Sequence, residues 1–416
     1  MTGPRSDPRD GLARVLRALD PVRDILDERV GDAAPPRFCV ARGWAGFLLS
    51  LDDESVQRAE ADGLAAVVAD LPGAPDDLVA LAAEVTRVTR LPALAAAPRP
   101  LSAPSLREIG ARKRQQLEAL LGALGPMAER AERIVDVGAG SGHFSRLAAD
   151  LFAREVLAIE RDPARVIAAE RRAREHGAAS ARFVAADAID EPTRLGPTDL
   201  AVGLHACGGL GDQLVLDAAR AGCDLALVSC CLQKIGALAR APLSEAAAAL
   251  SLRREILGLT NLTSQPRGVE TSIEATMAAR EARHALLLLL RTRGVALDPG
   301  EEMRGVNRRR ARAGLAEIAA IALARRGLPP ATAAEIAEHE REARRRYALV
   351  RRFSLPRSML ARLVEVAVVL DRAAALSERG AEVVVATITP RAATPRNLAI
   401  FASGDGARLP EVAISS

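Results

Sequence analysis

Three groups of side chains in this sequence stand at spacings that could do chemistry. A carboxylate precedes a glycine turn in Asp136-Val137-Gly138-Ala139-Gly140-Ser141-Gly142. Further acids follow at Glu160 and Asp187, and beyond them lies a rim of His205, Cys207, Cys230 and Cys231. Glycine lets backbone approach a ligand closely, and carboxylates accept hydrogen bonds from hydroxyl and amino groups. A ligand carrying such donors is therefore the expected occupant. The turn reads G-x-G-x-G, with His143 where a dinucleotide-binding G-x-G-x-x-G has its last glycine, which disfavours a nicotinamide or flavin. On the rim, a histidine can orient an acceptor or take its proton, and a thiol can serve as nucleophile or metal ligand.

Periodicity supplies the elements that must position these groups. Ile134, Val135 and Val137 form a β-branched run, as expected of a parallel strand covered on both faces. Strands are predicted at 155–159, ending at Glu160, and at 181–186, ending at Asp187. Two more, 200–204 and 224–229, run into His205 and Cys230. Helical segments between them, such as 164–174, make the pattern an alternating one that argues for a parallel sheet. Ligands of such sheets bind outside the carboxyl ends of the strands, near the switch in strand order. Glu160, about 20 residues past the glycine turn, is placed to accept ribose hydroxyls. Segments 382–389 and 397–403 return to β structure near the end of the chain.

With 416 residues and 49% hydrophobic composition, two or more domains are expected. Residues 1–100 read as an N-terminal helical domain in which Phe38, Trp44 and Phe47 are core; breaks fall at Pro35-Pro36 and Pro72-Gly73. Residues 101–235 read as the ligand-binding core, opened by a helix over 105–124; 236–370 as an arginine-rich helical insertion; and 371–416 as a closing β-hairpin. The opening residues lack an apolar signal region and the run Leu286 to Leu290 is too short to span a bilayer, so a cytoplasmic location and no membrane partner are expected. Five cysteines, two of them adjacent, do not form a disulfide framework and are expected to be reduced. Lysine occurs only at Lys113 and Lys234, so the net charge of +4 rests on arginine. Two clusters, within 304–312 and 341–352, could hold phosphates, which makes RNA the expected partner; the alternative is a solvated helix face paired with Glu338, Glu340 and Glu342. One Trp and one Tyr exclude a broad aromatic platform for base stacking.

Asp136 and the glycine turn resemble the first motif of class I S-adenosylmethionine-dependent methyltransferases. That resemblance implies a Rossmann-like α/β fold, a seven-stranded sheet closed by the C-terminal hairpin. It also implies a cofactor pocket of Asp136, Gly138, Ala139, Gly140, Gly142, Glu160, Asp187, Ala188 and His205, with Asp187 and Ala188 meeting the adenine. The pairs Gly203-Leu204-His205-Ala206-Cys207-Gly208 and Val228-Ser229-Cys230-Cys231 resemble a narrower methyltransferase-like family. It includes the glutathione-transferase-C-terminal-domain-containing and ribosomal-RNA-adenine-dimethylase-domain-containing proteins. The basic helix Arg112-Lys113-Arg114-Gln115-Gln116-Leu117-Glu118 and Thr394-Pro395-Arg396-Asn397-Leu398 share that resemblance. The family is also similar to transfer-RNA ribose methyltransferases.

The acceptor is harder to read. The N-P-P-Y tetrapeptide of many amino-group methyltransferases is absent after the fourth strand, and two lysines cannot supply a lysine-rich ribose-methylating tetrad. His205 is the best-placed base, with Cys207, Cys230 and Cys231 as further catalytic candidates. Cytosine C5 methyltransferases carry a nucleophilic cysteine at similar places, but the flanking residues differ. Zinc held by His205, Cys207, Cys230 and Cys231 is the less favoured alternative to small side chains packing beside the cofactor, because adjacent cysteines are awkward joint ligands; no metal ligand is assigned. The expectation is methyl transfer to a macromolecule, RNA first, with a protein side-chain methyltransferase or a non-catalytic cofactor-binding scaffold as alternatives.

Overall fold

The computed structural model describes residues 7–101, 109–178, 180–261, 273–297, 300–390 and 396–413, excluding the side chains of residues 112, 205, 273, 274, 308 and 407. Seven strands build the main sheet: β1 (Arg133–Val137), β2 (Glu155–Glu160), β3 (Ala181–Ala185), β4 (Asp199–Ala206), β5 (Asp224–Ser229), β6 (Glu382–Thr387) and β7 (Leu398–Ser403). Their order is β3-β2-β1-β4-β5-β7-β6. The first five are parallel, and β7 inserts antiparallel between β5 and β6. This is the Rossmann-like α/β sheet of class I methyltransferases. Its order reverses between β1 and β4, so the crevice at their carboxyl ends is where a ligand binds.

Hydrophobic runs explain why these segments are central strands. Every residue of β5 and of β7 is buried, which requires cover on both faces. Against one face pack α2 (Ala111–Ala128) and α3 (His143–Phe152), through Leu117, Leu120, Leu124, Phe144 and Leu147, onto Ile134, Val202, Ala226, Val228 and Phe401. The alternate residues Val135, Ala201, Leu225, Leu227 and Ile400 are equally buried. Helix α4 (Pro163–Glu175) packs on β3, α5 (Gly209–Ala221) and α6 (Ala361–Ser377) pack on other strands of this sheet, and α1 (Pro8–Leu19) packs on α6. Almost all of α6 is buried, its largely apolar sequence carrying Glu365, Asp371 and Arg372 inside with it.

Four short strands depart from the sequence reading. Ala93–Leu94 pairs parallel with β6 and antiparallel with Val412–Ala413, extending the sheet to nine strands. A two-residue hairpin, Ala239–Arg240 with Leu252–Arg253, interrupts what periodicity alone reads as helix. Strands this short leave no alternation to detect. The opening helix of the core is Ala111–Ala128, shorter at its start than the segment 105–124 predicts, and residues 102–108 lie outside the described residues.

Compact units are also divided differently from the four sequence segments. One unit comprises residues 1–23, 84–265 and 360–416; the other comprises 24–83 and 266–359. Thus α1 groups with the sheet, where its apolar stripe packs on α6. The second unit is helical. Phe38, Trp44 and Phe47 are buried in it as expected, with the Trp44 indole N–H donating to Asp77 at 2.9 Å. Helices Ile273–Thr292, Leu315–Ala324 and Ala333–Met359 form the rest of it, and Gly327-Leu328-Pro329-Pro330 breaks the chain between the last two.

Candidate active site

The glycine turn lies at the switch point, directly after β1. Gly138, Gly140 and Gly142 all have positive φ, at 79°, 59° and 70°, where a side chain would be strained. A Cβ on Gly142 would also stand 2.7 Å from the Phe183 ring and 2.9 Å from the Ala169 Cβ. The turn is held to β2 by two backbone bonds, in which the Gly138 and Ala139 N–H groups donate to the Ile159 carbonyl at 2.9 and 3.0 Å.

Glu160 closes the turn from the other side. One carboxylate oxygen accepts the Gly140 N–H at 2.9 Å and the other accepts the Asp162 N–H at 3.1 Å. An ionised carboxylate has about four acceptor sites, so each oxygen keeps capacity for a ligand hydroxyl. Asp136 is fully enclosed within β1. Burial pushes its carboxyl up to about 7, against the lowering effects of the Ser145 hydroxyl, which donates at 2.6 Å, and of the Lys113 ammonium nearby. Burial in turn lowers the Lys113 pKa, while the Asp136 charge raises it. Arg172 ties down the turn by donating to the Ser141 carbonyl at 2.8 Å. Asp187 lies two residues past β3, where its side chain accepts the Ile189 N–H at 3.0 Å, and Ala188 is buried behind it. The structure therefore brings Asp136, the glycines and Glu160 together; Asp187 and Ala188 shape the turn after the neighbouring strand.

The sulfur rim comes from adjacent strands. Strand β4 runs to Ala206, two residues further than predicted, with a register shift between Leu204 and Ala206. His205 therefore lies inside β4 rather than past its end, at a bulge, and its side chain lies outside the described residues. Ala206 pairs with Ser229 on β5, so Cys207 and Cys230, one residue on, are neighbours whose sulfurs are 2.6 Å apart. Cys231 joins them: the three sulfurs all lie within 4.8 Å of one another. Hydrogen bonds from the Cys207 and Cys230 thiols hold the Cys231 thiol far below its usual range, helped by the Arg396 and Lys234 charges. Its bonds with Cys207 and Cys231, together with burial, push Cys230 up.

Behind the rim lies a buried ionic network that sequence reasoning missed. Arg372 on α6 donates to the Asp212 carboxylate at 2.8 Å, the Ser229 hydroxyl at 2.6 Å and the Gly208 carbonyl at 2.8 Å. Arg240 bridges Asp212 and Asp371, and Asp371 accepts the Leu243 and Ser244 N–H groups. Burial acts to raise the Asp212 carboxyl, but the charges of Arg372 and Arg240 outweigh it and hold it below its ordinary value. Gly208, with φ of 51°, has no room for a Cβ, which would lie 2.0 Å from the Lys234 carbonyl oxygen. These partners are up to 164 residues apart, so no local pattern announces them. The signal for Ser145 was available: it lies in the first turn of α3, on the side facing Asp136.

The arginine clusters lie in the helical unit. Arg351 pairs with Glu60 at 2.7 Å, Arg352 donates to the Leu51 carbonyl at 2.9 Å, and Arg345 and Arg346 pair with Glu342. Much of the 341–352 cluster thus joins helices. In the 304–312 cluster Arg310 pairs with Glu317, and Arg304, Arg309 and Arg312 are exposed.

Residues 112–237 match the family model described as a methyltransferase domain. That segment is a methyltransferase domain. It takes in the glycine turn, all three acids and the sulfur rim. A comparison with the curated proteins finds no match. Among solved structures, the chain is similar to the YcgJ protein of Bacillus subtilis, with 26% identity and a TM-score of 0.23, over 26% of this chain and 50% of that one. It is similar to the N-terminal domain of EvdMO1 with S-adenosylhomocysteine bound, with 23% identity and a TM-score of 0.23, over 27% and 47%. A third is Haemonchus contortus phosphoethanolamine N-methyltransferase 2, with 24% identity and a TM-score of 0.24, over 27% of each chain. The chain spans about half the length of the first two. Among the described residues no helix is long and apolar enough to cross a membrane.

Proposed function

We propose that the protein transfers the methyl group of S-adenosylmethionine to RNA. The observation that carries the donor half is the joining of Asp136, the glycine turn and Glu160 at the switch point of a β3-β2-β1-β4-β5-β7-β6 sheet. The residues present fit the donor: the positive-φ glycines leave a cradle that side chains would fill, and the two acids suit its cationic and hydroxyl groups. Asp136 and the turn of Gly138, Ala139, Gly140 and Gly142 would hold the methionine end, Glu160 the ribose, and Asp187 with Ala188 the adenine. Bound there, S-adenosylmethionine would supply an electrophilic methyl carbon with a thioether as leaving group. The chain's part is to align the acceptor and take its proton, a role proposed for His205 on the β4 bulge.

The exposed Arg304, Arg309 and Arg312 favour a phosphate-bearing acceptor. The narrower resemblance of the His205–Cys207 and Cys230–Cys231 motifs to the methyltransferase-like family supports the same reading. Labelled methyl groups supplied as S-adenosylmethionine should appear on RNA when total RNA and total protein from the source cell are offered in parallel. Label on protein alone would replace the RNA reading, and donor binding without transfer to either would leave a scaffold. RNA affinity should fall steeply with salt and should weaken in Arg304→Gln/Arg309→Gln.

A further inference from the structure

We propose that Cys207, Cys230 and Cys231 bind one zinc ion through three thiolates at the carboxyl ends of β4 and β5. The register of the sheet creates the cluster. Ala206 and Ser229 are paired, so the next residue on each strand, Cys207 and Cys230, projects from the same edge about 5 Å from its neighbour along the hydrogen-bonding direction. Adjacency of Cys230 and Cys231 would separate their side chains in an extended strand. Here the chain leaves β5 and turns at once, the Lys234 N–H donating to the Cys231 carbonyl at 3.1 Å, and the second thiol reaches the other two.

The dimensions and the surroundings suit a soft cation. Tetrahedral zinc with bonds of about 2.3 Å sets its sulfurs roughly 3.8 Å apart. The three sulfurs lie within 4.8 Å of one another, and the pair at 2.6 Å must open by about 1 Å to match that spacing. Three thiols release three protons as three zinc–sulfur bonds form, giving a site of net charge −1. Arg396 and Lys234 stand close enough to act on Cys231 and supply the compensating charge. Both loops are fixed from behind, where Arg372 holds the Gly208 carbonyl and the Ser229 hydroxyl; a metal ligand set needs such outer support. Cys39 and Cys223 make the contrast: each is buried alone, with burial pushing its thiol up to about 12, as expected of a small apolar filler. Among the described residues no fourth donor joins the cluster, and a tetrahedral site takes one further ligand.

The test does not depend on methyl transfer, so its failure is separable from failure of the proposed function. Full-length protein, purified reduced and without chelators, should carry about one zinc per chain by elemental mass spectrometry. Cobalt exchanged into the site should show a thiolate charge-transfer band in the near ultraviolet. Cys207→Ser/Cys231→Ser should lose both signals, whereas Cys39→Ser/Cys223→Ser should keep them; circular dichroism and a cooperative thermal transition check that each variant is folded. If the first double variant does not fold, the cobalt band of the wild-type protein decides. Reduced, folded wild-type protein with neither zinc nor a cobalt band would overturn the proposal. So would zinc retained in folded Cys207→Ser/Cys231→Ser, or a Cys207–Cys230 disulfide whose reduction restores no metal binding.

Discussion

Replacing Asp136 by Asn should stabilise the ligand-free protein and weaken its hold on S-adenosylmethionine. The carboxyl is fully enclosed in β1, and burial raises its pKa from 3.8 to about 7. A pKa raised on folding means that the folded state binds the proton more tightly than the unfolded one. Stability from this group is therefore fully present below pH 3.8 and is lost as pH rises through about 7. Shifting 3.8 to about 7 corresponds to about 4 kcal/mol by about pH 8, and to less than half of that at about pH 5. Asn keeps an oxygen to accept the Ser145 hydroxyl and carries no charge to desolvate. The variant should therefore melt about 8 °C above wild type at about pH 8, with the gap shrinking to about 3 °C at about pH 5. Paired thermal unfolding curves across that range isolate Asp136, because other titrating groups are common to both proteins. Calorimetry should show the opposite sign for the ligand, with affinity reduced at least about tenfold, since charge-assisted hydrogen bonds contribute about 1.5–3 kcal/mol. A variant that melts no higher than wild type at the alkaline end, or binds S-adenosylmethionine equally well, would refute this reasoning.

Two further substitutions probe the pocket and its support. Glu160→Gln leaves one acceptor oxygen for two backbone donors, Gly140 and Asp162, so affinity for S-adenosylmethionine should fall by about one to two orders of magnitude in calorimetry; an unchanged affinity would remove Glu160 from the site. Arg372→Met leaves the Gly208 carbonyl and part of the Asp212 charge buried without a partner, and should cost about 3–5 kcal/mol in urea unfolding; a loss below about 1 kcal/mol would mean the network is not a support.

What could be read from the residues alone divides along a physical line. Strands β1, β2 and β5 declare themselves because each is a short apolar run whose carboxyl end carries the glycine turn, Glu160 or Cys230. Local patterns of that kind survive in a one-dimensional reading. The end of β4 does not, because whether His205 lies in or beyond the strand depends on pairing with β5 and on the shift that pairing absorbs. The grouping of segments into compact units depends on pairing of the same kind. Helix α1 has an amphipathic stripe that predicts a helix correctly, yet only contact with α6 shows which unit that stripe belongs to. Trp44 and Phe38 are core wherever they pack, so burial was legible while the partner was not.

The buried charges carry this division into the site itself. Asp212 follows the Cys207 loop, Ser229 ends β5, Arg240 lies in the short hairpin, and Arg372 arrives from α6. None of these residues has a neighbour in sequence that explains it, and a buried ion left single would cost several kcal/mol. Their charges are tolerable only when all four segments are assembled. The loops bearing Cys207 and Cys230 therefore reach their positions together with the docking of α6 between β5 and the closing hairpin in chain order. Support at the rim is supplied by the last third of the chain, through Arg372, although the proposed donor pocket lies within residues 136–188. A change such as Arg372→Met should accordingly disturb the three sulfurs more than it disturbs the glycine turn, which β2, Glu160 and Arg172 hold independently.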